Sequence, residues 1–150
     1  MTGRGGCDTK CFENCTYFTA AKYLRRMEQL AGRYLRETGL PVPYNYILDA
    51  LDRYEEIDSI MSISQALGYD RSTVSRMVKQ LEAGGLVALR AEGRRTRVEL
   101  TEKGRRLDHD VIKKCLATYY EEVTELFGAE SRKEMTRLLV RNTELIEQVL

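Results

Sequence analysis

The stretch from Ser62 to Leu81 most constrains the fold of this chain, because it predicts two short helices joined by a tight turn. Gly68 is expected to end the first helix, since glycine readily adopts the left-handed conformation found just past helix ends. Asp70 is expected to cap the second helix by accepting hydrogen bonds from its first backbone N–H groups. Four apolar residues then recur at helical spacing and predict a buried stripe: Val74, Met77, Val78 and Leu81. This layout is typical of a helix-turn-helix whose second helix enters the major groove of DNA.

The face of the second helix opposite this stripe is polar and cationic. Six of its residues are candidates for DNA contact: Arg71, Ser72, Thr73, Ser75, Arg76 and Lys79. We expect Ser72, Thr73 and Arg76 to contact base edges, which carry the sequence information. Ser75 and Lys79 are expected to contact phosphate. The alternative interpretation is a solvated helix face with no nucleic-acid partner.

A β-hairpin is predicted directly after the second helix. Leu86–Arg90 has strand character, residues 91–95 form a polar turn, and Thr96–Leu100 alternates as a returning strand does. Residues 71–106 contain ten Lys and Arg against four Asp and Glu, a net charge of +6, whereas the whole chain carries only +1. Such a basic block can neutralise DNA phosphates, which makes binding sensitive to salt. Three arginines of the hairpin are further candidates for DNA contact: Arg94, Arg95 and Arg97.

These segments carry a family resemblance. The winged-helix signature of the MarR family of bacterial and archaeal regulators is similar to three stretches of this chain: DRSTVSR at 70–76, LEAGGLV at 81–87 and EGRRTRVELTEKGR at 92–105. The resemblance covers roughly residues 40–127 and is specific because the motifs occur in combination. Arg94 matches the arginine of the family's wing motif Asp-Xaa-Arg, whereas Glu92 stands where the family has Asp.

The resemblance implies a transcription regulator, most simply a repressor, that works as a homodimer. In MarR proteins the first and last helices interlock, and each protomer places one recognition helix in a half-site. We therefore expect double-stranded DNA as the partner, with a pseudo-palindromic operator whose half-sites lie about one helical turn apart.

The flanking segments agree with that architecture. Apolar residues at helical spacing predict a first long helix at 16–37, a second at 44–54, a third at 101–127 and a last one from 130 or 131 onward. The fold class is therefore mainly α with a small β-ribbon wing. A Cys-rich arm (1–15) is expected to precede a dimerisation helix (16–43), a winged helix-turn-helix domain (44–100) and C-terminal dimerisation helices (101–150). The amphipathic end helices leave more apolar surface than one protomer can bury, which favours a symmetric dimer.

Other protein classes are disfavoured by the sequence. It contains no apolar run of the length that a membrane span requires and no signal peptide, so a cytoplasmic location and no membrane partner are expected. It also shows no nucleophile–base pair, phosphate-binding loop or carboxylate dyad, so the chain is not expected to be an enzyme.

Three cysteines precede the first long helix at spacings of four: Cys7, Cys11 and Cys15. With Cys115, a partner's thiol or a small ligand, they could hold an iron–sulfur cluster or zinc. A second interpretation is thiol chemistry, because the neighbourhood of Cys15 resembles that of MarR relatives which sense organic hydroperoxides, and a helix N-terminus favours the reactive thiolate. The third is that the cysteines have no function.

The tyrosines suggest another mode of regulation, in which the cysteines are incidental. MarR relatives bind phenolic or other anionic molecules between their dimerisation helices and winged domain. Four tyrosines could line such a crevice here: Tyr44, Tyr46, Tyr119 and Tyr120. The alternative is that they lie at the edges of the core with their hydroxyls in solvent.

Overall fold

The computed structural model describes the chain from Lys10 onward, with side chains from Phe12. The elements are, in order, α1 (Lys10–Glu13), α2 (Thr16–Tyr34), a 3₁₀ turn (Arg36–Thr38), α3 (Val42–Arg53), α4 (Ile60–Leu67), α5 (Arg71–Ala83), β1 (Val87–Glu92), β2 (Arg95–Leu100), α6 (Glu102–Leu107), a π-helical turn (Asp108–Ile112), α7 (Lys113–Phe127) and α8 (Ala129–Glu147). The predicted fold class, mainly helical with a small β-ribbon, is confirmed.

The helix-turn-helix forms as the local sequence predicts. Ser59 and Ser62 make a reciprocal capping box that starts α4, with Ser62 N donating to Ser59 Oγ over 3.1 Å. Gly68 ends α4 with a φ of 75°, a conformation that glycine adopts without steric penalty. Asp70 then caps α5 by accepting a hydrogen bond of 2.9 Å from Thr73 N. The four apolar residues predicted for the stripe of α5 are all buried.

The strands β1 and β2 pair antiparallel, with Val87 opposite Leu100 and Glu92 opposite Arg95. Gly93 and Arg94 form the two-residue loop between them. Gly93 has a φ of 60°, as the first position of a tight hairpin turn requires. The hairpin is tied back to the body of the domain, because Val98 N donates to the carbonyl oxygen of Asp58 over 2.7 Å.

The other helices differ from the prediction mainly at their ends. α2 stops at Tyr34 and is followed by the 3₁₀ turn, and α3 begins at Val42 rather than Tyr44 because Pro43 fits within a first helical turn. The helix predicted over 101–127 is interrupted by the π-helical turn at Asp108–Ile112. α8 begins directly after Gly128, at Ala129.

The core lies between α3, α5, the hairpin and the helices that follow it. Its most deeply buried large side chains are Leu35, Ile47, Leu48, Ile63, Leu81 and Ile112. Thr101 caps α6 by accepting from Gly104 N over 3.1 Å. This places Gly104 directly beneath the carbonyl of Leu86, where α6 crosses the start of the hairpin.

Apolar side chains remain exposed on α2 and α8. They include Tyr17, Phe18 and Leu24 on α2 and Met135, Leu139, Val140, Leu145 and Ile146 on α8. α8 contributes no buried residue to the described part of the chain. Among the described residues, the longest helices are too polar to cross a bilayer.

Candidate DNA-binding surface and effector crevice

The exposed face of α5 presents the residues predicted to contact DNA. Arg71, Ser72, Arg76 and Lys79 are exposed, whereas Thr73 and Ser75 are half-buried. The cations therefore project into solvent from the side of the helix opposite its buried stripe. A helix so arranged can enter a groove without disturbing the core.

Asp70 organises the first turn of this helix. Its carboxylate accepts hydrogen bonds from Ser72 Oγ at 2.5 Å and from Thr73 Oγ1 at 2.7 Å, in addition to the backbone bond from Thr73. These side-chain and backbone hydrogen bonds lower the pKa of Asp70 well below its usual range. The hydroxyl protons of Ser72 and Thr73 are thus engaged within the helix, so toward any further partner their oxygens can only accept hydrogen bonds. Thr73 Oγ1 already accepts one from Arg76 Nη2 at 3.4 Å.

The wing arginines differ in their surroundings. Arg95 forms an ion pair with Asp58, on the connector before α4. Arg97 lies 3.5 Å from Glu92 and 3.3 Å from Glu99, measured between guanidinium nitrogens and carboxylate oxygens. Arg94 stands at the tip of the hairpin and forms no ion pair with any described residue. Glu92 therefore pairs with Arg97 and not with Arg94, the arginine of the wing motif. This leaves the guanidinium of Arg94 available to a ligand.

A first crevice, called here the tyrosine crevice, opens between α2, α3 and the turn of the helix-turn-helix, with a volume of about 250 Å³. Its wall includes Tyr46, Tyr69 and Tyr119 together with apolar side chains, and Glu28 is its charged residue. Burial raises the pKa of Tyr119 to about 12 and also raises that of Tyr46. Both phenols are therefore neutral near physiological pH.

A second crevice, called here the charged crevice, shares Tyr46 and Tyr119 with the first and adds Tyr120. Its wall carries two cations, Arg53 and Lys113, and two carboxylates, Asp49 and Glu121. Three of the four tyrosines predicted to line a pocket thus meet in this region. The exception is Tyr44, which lies outside both crevices and donates a hydrogen bond to Gln80 Oε1 on α5.

Lys113 is the centre of an ion-pair network that joins α3 to the π-helical turn. Its Nζ lies 2.6 Å from Asp52 Oδ2 and also contacts the fully buried Asp108. The hydrogen bond from Lys113 lowers the pKa of Asp52. Burial raises the pKa of Asp108, and Lys113 only partly opposes it. His109, an expected surface residue, is half-exposed but lies 3.1 Å from Asp52.

This network is also where three potential metal ligands converge. One ligand atom each from Asp52, Asp108 and His109 lie within 4.8 Å of one another. The ammonium of Lys113 already supplies a positive charge to both carboxylates, so the arrangement is explained by ion pairing.

The cysteines are only partly covered by the structure. Cys7 and the side chain of Cys11 lie outside the described residues. Cys15 is the N-cap of α2 and is half-buried. Cys115 packs against the core near the opposite end of α2, where burial and the charge of Glu37 raise the pKa of its thiol. Since a helix of this length spans roughly 28 Å, Cys115 cannot share a metal with Cys15 of the same protomer.

Sequence reasoning missed three functional candidates: Glu28, Tyr69 and Lys113. The sequence gives at most a weak indication of a role for Glu28 and Tyr69, because charged residues on long helices and tyrosines in turns are both common. Lys113 had none, since the π-helical turn that presents Asp108 to it is not visible in the spacing.

Comparison with known proteins finds one matching family model and several solved structures of similar fold. The model of the MarR family matches residues 38–97. No curated protein sequence matches the chain. Among solved structures, the M. tuberculosis transcriptional regulator MosR is similar, with 26% identity, a TM-score of 0.75 and coverage of 89% of this chain and 98% of that one.

Two further structures are similar in fold. One is the S. aureus MepR–DNA complex, with 18% identity, a TM-score of 0.74 and coverage of 89% and 98% of the two chains. The other is the transcriptional repressor CouR bound to p-coumaroyl-CoA, with 21% identity, a TM-score of 0.80 and coverage of 91% and 97%. The family match spans the helix-turn-helix and most of the wing, and the shared fold extends over the flanking helices. The chain therefore resembles the MarR family over residues 38–97 and shares the fold of these solved transcriptional regulators over about nine tenths of its length.

Proposed function

We propose that this chain acts as a homodimeric, sequence-specific DNA-binding repressor of transcription. The observation that carries the proposal is the cationic face of α5, which is exposed directly opposite a fully buried stripe and stands beside an arginine-tipped hairpin. The similarity to MepR, whose structure was solved with DNA, supports the same use of the fold. In this proposal α5 enters the major groove, and Arg94 at the tip of the hairpin approaches the minor groove.

The dimer is supported by the exposed apolar residues of α2 and α8. Leu139 and Ile146 on α8 are about half-exposed, although they lie on the apolar stripe of an amphipathic helix. A second copy of the chain would cover both helices by the same symmetric contact. We accordingly assign 16–43 and 101–150 to dimerisation and 44–100 to DNA binding, preceded by the Cys-containing arm 1–15.

Selection of bound sequences from a random duplex library tests this function. The selected duplexes should contain a pseudo-palindrome whose half-sites lie about one helical turn apart, roughly 10 base pairs. Affinity should fall steeply as salt increases, because basic residues release counterions from DNA. A protein that is monomeric by light scattering and shows no salt-dependent attraction to duplex DNA would contradict the proposal.

A small organic effector is the second part of the proposal. The tyrosine crevice supports it, because its wall combines α2 of the dimerisation region with the turn that precedes the recognition helix. CouR was solved with p-coumaroyl-CoA, and 6-hydroxynicotinic acid regulates DNA binding by B. bronchiseptica BpsR. An effector bound here would bias the separation of the two recognition helices and so change affinity for DNA.

Thiol or metal sensing is the alternative. The position of Cys15 at the N-terminus of α2 supports it, because a change at this position acts directly on a dimerisation helix. Replacement of Cys7, Cys11 and Cys15 by serine tests it, with Cys115→Ser as the matched control. If sensing operates, only the triple variant should keep its DNA affinity in the presence of an organic hydroperoxide. Metal analysis of protein prepared without oxygen distinguishes a zinc or iron–sulfur centre from thiol chemistry.

A further inference from the structure

We propose that the effector of the tyrosine crevice is a small aromatic cation. The inference deepens the proposed function, since its regulatory consequence rests on this chain being a DNA-binding repressor. The binding event itself depends only on the crevice. The inference is about the charge of the ligand, which depends on the charged and aromatic groups in the wall of the crevice.

The size and apolar character of the crevice favour a flat aromatic molecule. Its volume is about 250 Å³, and Met27, Val42 and Leu67 contribute apolar surface from three different helices. Ligand sites of this kind obtain most of their affinity from apolar contact and use few polar groups for orientation. A two-ring aromatic ligand matches both the volume and the wall.

The charged and aromatic groups of the wall favour a positive ligand. Glu28 is the charged residue that lines the crevice, and its charge acts on Tyr69, whose pKa is raised first by burial and then by Glu28. Tyr46 and Tyr119 line the same space with aromatic side chains, whose π-faces carry partial negative charge. A cation over such faces is attracted by the ring quadrupole, and a nearby carboxylate adds to that attraction.

An anionic ligand finds less support. The cations of the neighbouring charged crevice are already paired, because Arg53 lies 2.7 Å from Asp49 and Lys113 lies 2.6 Å from Asp52. An anion bound there would compete with these carboxylates for the same cations. In the tyrosine crevice it would also meet the carboxylate of Glu28, and no cation from the described part of the chain lines that wall.

A ligand at this position contacts the turn that precedes α5. Leu67 and Tyr69 flank the turn at Gly68, and Asp70, the N-cap of α5, follows immediately. Ser64 Oγ donates to the carbonyl of Tyr69 over 2.5 Å, which holds the turn against α4. A ring inserted beside Tyr69 would therefore shift the first turn of α5, where Arg71 and Ser72 lie.

Isothermal titration with three two-ring compounds at pH 7.5 tests the inference: 1-methylquinolinium as the cation, quinoline as the neutral analogue and 1-naphthoate as the anion. We expect the cation to bind most tightly and the anion most weakly. Glu28→Gln should weaken binding of the cation by about fivefold, while quinoline changes by less than about twofold. Glu130→Gln, which removes a carboxylate from the exposed surface of α8, is the control and should change neither.

Three results would overturn the inference. They are binding of naphthoate at least as tight as that of the cation, an equal loss of affinity for quinoline and for the cation in Glu28→Gln, or no binding of any of the three compounds. Circular dichroism of Glu28→Gln verifies that the variant is folded. DNA binding is measured separately by mobility shift without ligand. A protein that binds the cation but not DNA would contradict the proposed function while leaving the ligand class intact.

Discussion

Lys113 Nζ lies 2.6 Å from Asp52 Oδ2, and this contact joins the helix that leads into the C-terminal region to a helix of the winged domain. The same ammonium contacts Asp108 in the π-helical turn. The extra residue of a π-helical turn rotates the helix that follows it, and such turns are frequent at functional positions. The two parts of the protomer therefore meet at an electrostatic contact, through which a change in one can reach the other.

Removing the cation of this contact should destabilise the protein. In Lys113→Met, Asp108 would remain fully buried without its partner, so we expect the free energy of unfolding to fall by about 3 kcal/mol. Urea denaturation followed by circular dichroism measures it. Lys114→Met, at the exposed neighbouring position, should change stability by less than about 0.5 kcal/mol. Equal stability of Lys113→Met and the wild type would mean that the network contributes nothing to folding.

The same network should make the free energy of unfolding depend on pH. The pKa of Asp52 is lower in the folded protein than its ordinary value of 3.8, because Lys113 donates to it. The stability that ionised Asp52 contributes is therefore fully present above the pKa of Asp52 in the unfolded chain. It is lost as the pH falls through the lower pKa of Asp52 in the folded protein. The stability difference between the wild type and Asp52→Asn should shrink below about pH 4. A difference that stays constant from pH 6 to pH 3 would contradict this assignment.

Gly104 and Gly32 should respond in opposite directions to alanine. A Cβ at Gly104 would lie 2.0 Å from the carbonyl oxygen of Leu86, so Gly104→Ala requires the backbone to move and should destabilise by about 3 kcal/mol or more. A Cβ at Gly32 would meet Val42 Cγ2 at 3.7 Å, an ordinary contact. Gly32→Ala should therefore stabilise α2 by up to about 1 kcal/mol. Thermal unfolding of the two variants provides the comparison, and a Gly104→Ala protein as stable as the wild type would disprove the close approach.

Arg76 should contribute to sequence discrimination and not only to affinity. We expect Arg76→Ala to weaken binding to a selected operator by about 1–3 kcal/mol and to relax preference at one position of each half-site. Fluorescence anisotropy with the operator and single-base variants measures both effects. Lys133→Ala on α8 removes an exposed cation away from α5 and is the control. An equal loss of affinity for all sequences would assign Arg76 to phosphate contact.

The ion pair between Asp58 and Arg95 should restrain the wing. In Asp58→Asn the guanidinium of Arg95 loses its charged partner and can reach phosphate, so we expect tighter binding and a salt dependence steeper by about one counterion. The slope of log affinity against log salt concentration measures this. Adding Arg95→Ala to Asp58→Asn should abolish the gain. If the double variant keeps the steeper slope, another cation is responsible.

The sequence by itself determined the elements whose signals are local. Gly68 and Asp70 define the turn of the helix-turn-helix, and the residues around them alternate between buried and exposed faces at helical spacing. Capping, turn formation and amphipathic spacing depend on residues at most four positions apart, so they can be recognised without the fold. The helices α4 and α5, the turn of the hairpin and the cationic face of α5 were predictable for this reason.

Only the tertiary structure decided which distant side chains meet. Arg95 and Asp58 are 37 positions apart, Lys113 and Asp52 are 61 apart, and no spacing rule connects either pair. The walls of the tyrosine crevice likewise come from α2, α3, α7 and the turn of the helix-turn-helix. Its charged residue, Glu28, lies on the exposed side of α2, a helix whose sequence pattern predicts only dimerisation. Contacts of this kind arise from the packing of whole elements, and packing depends on the sum of many small apolar contacts that no single motif records.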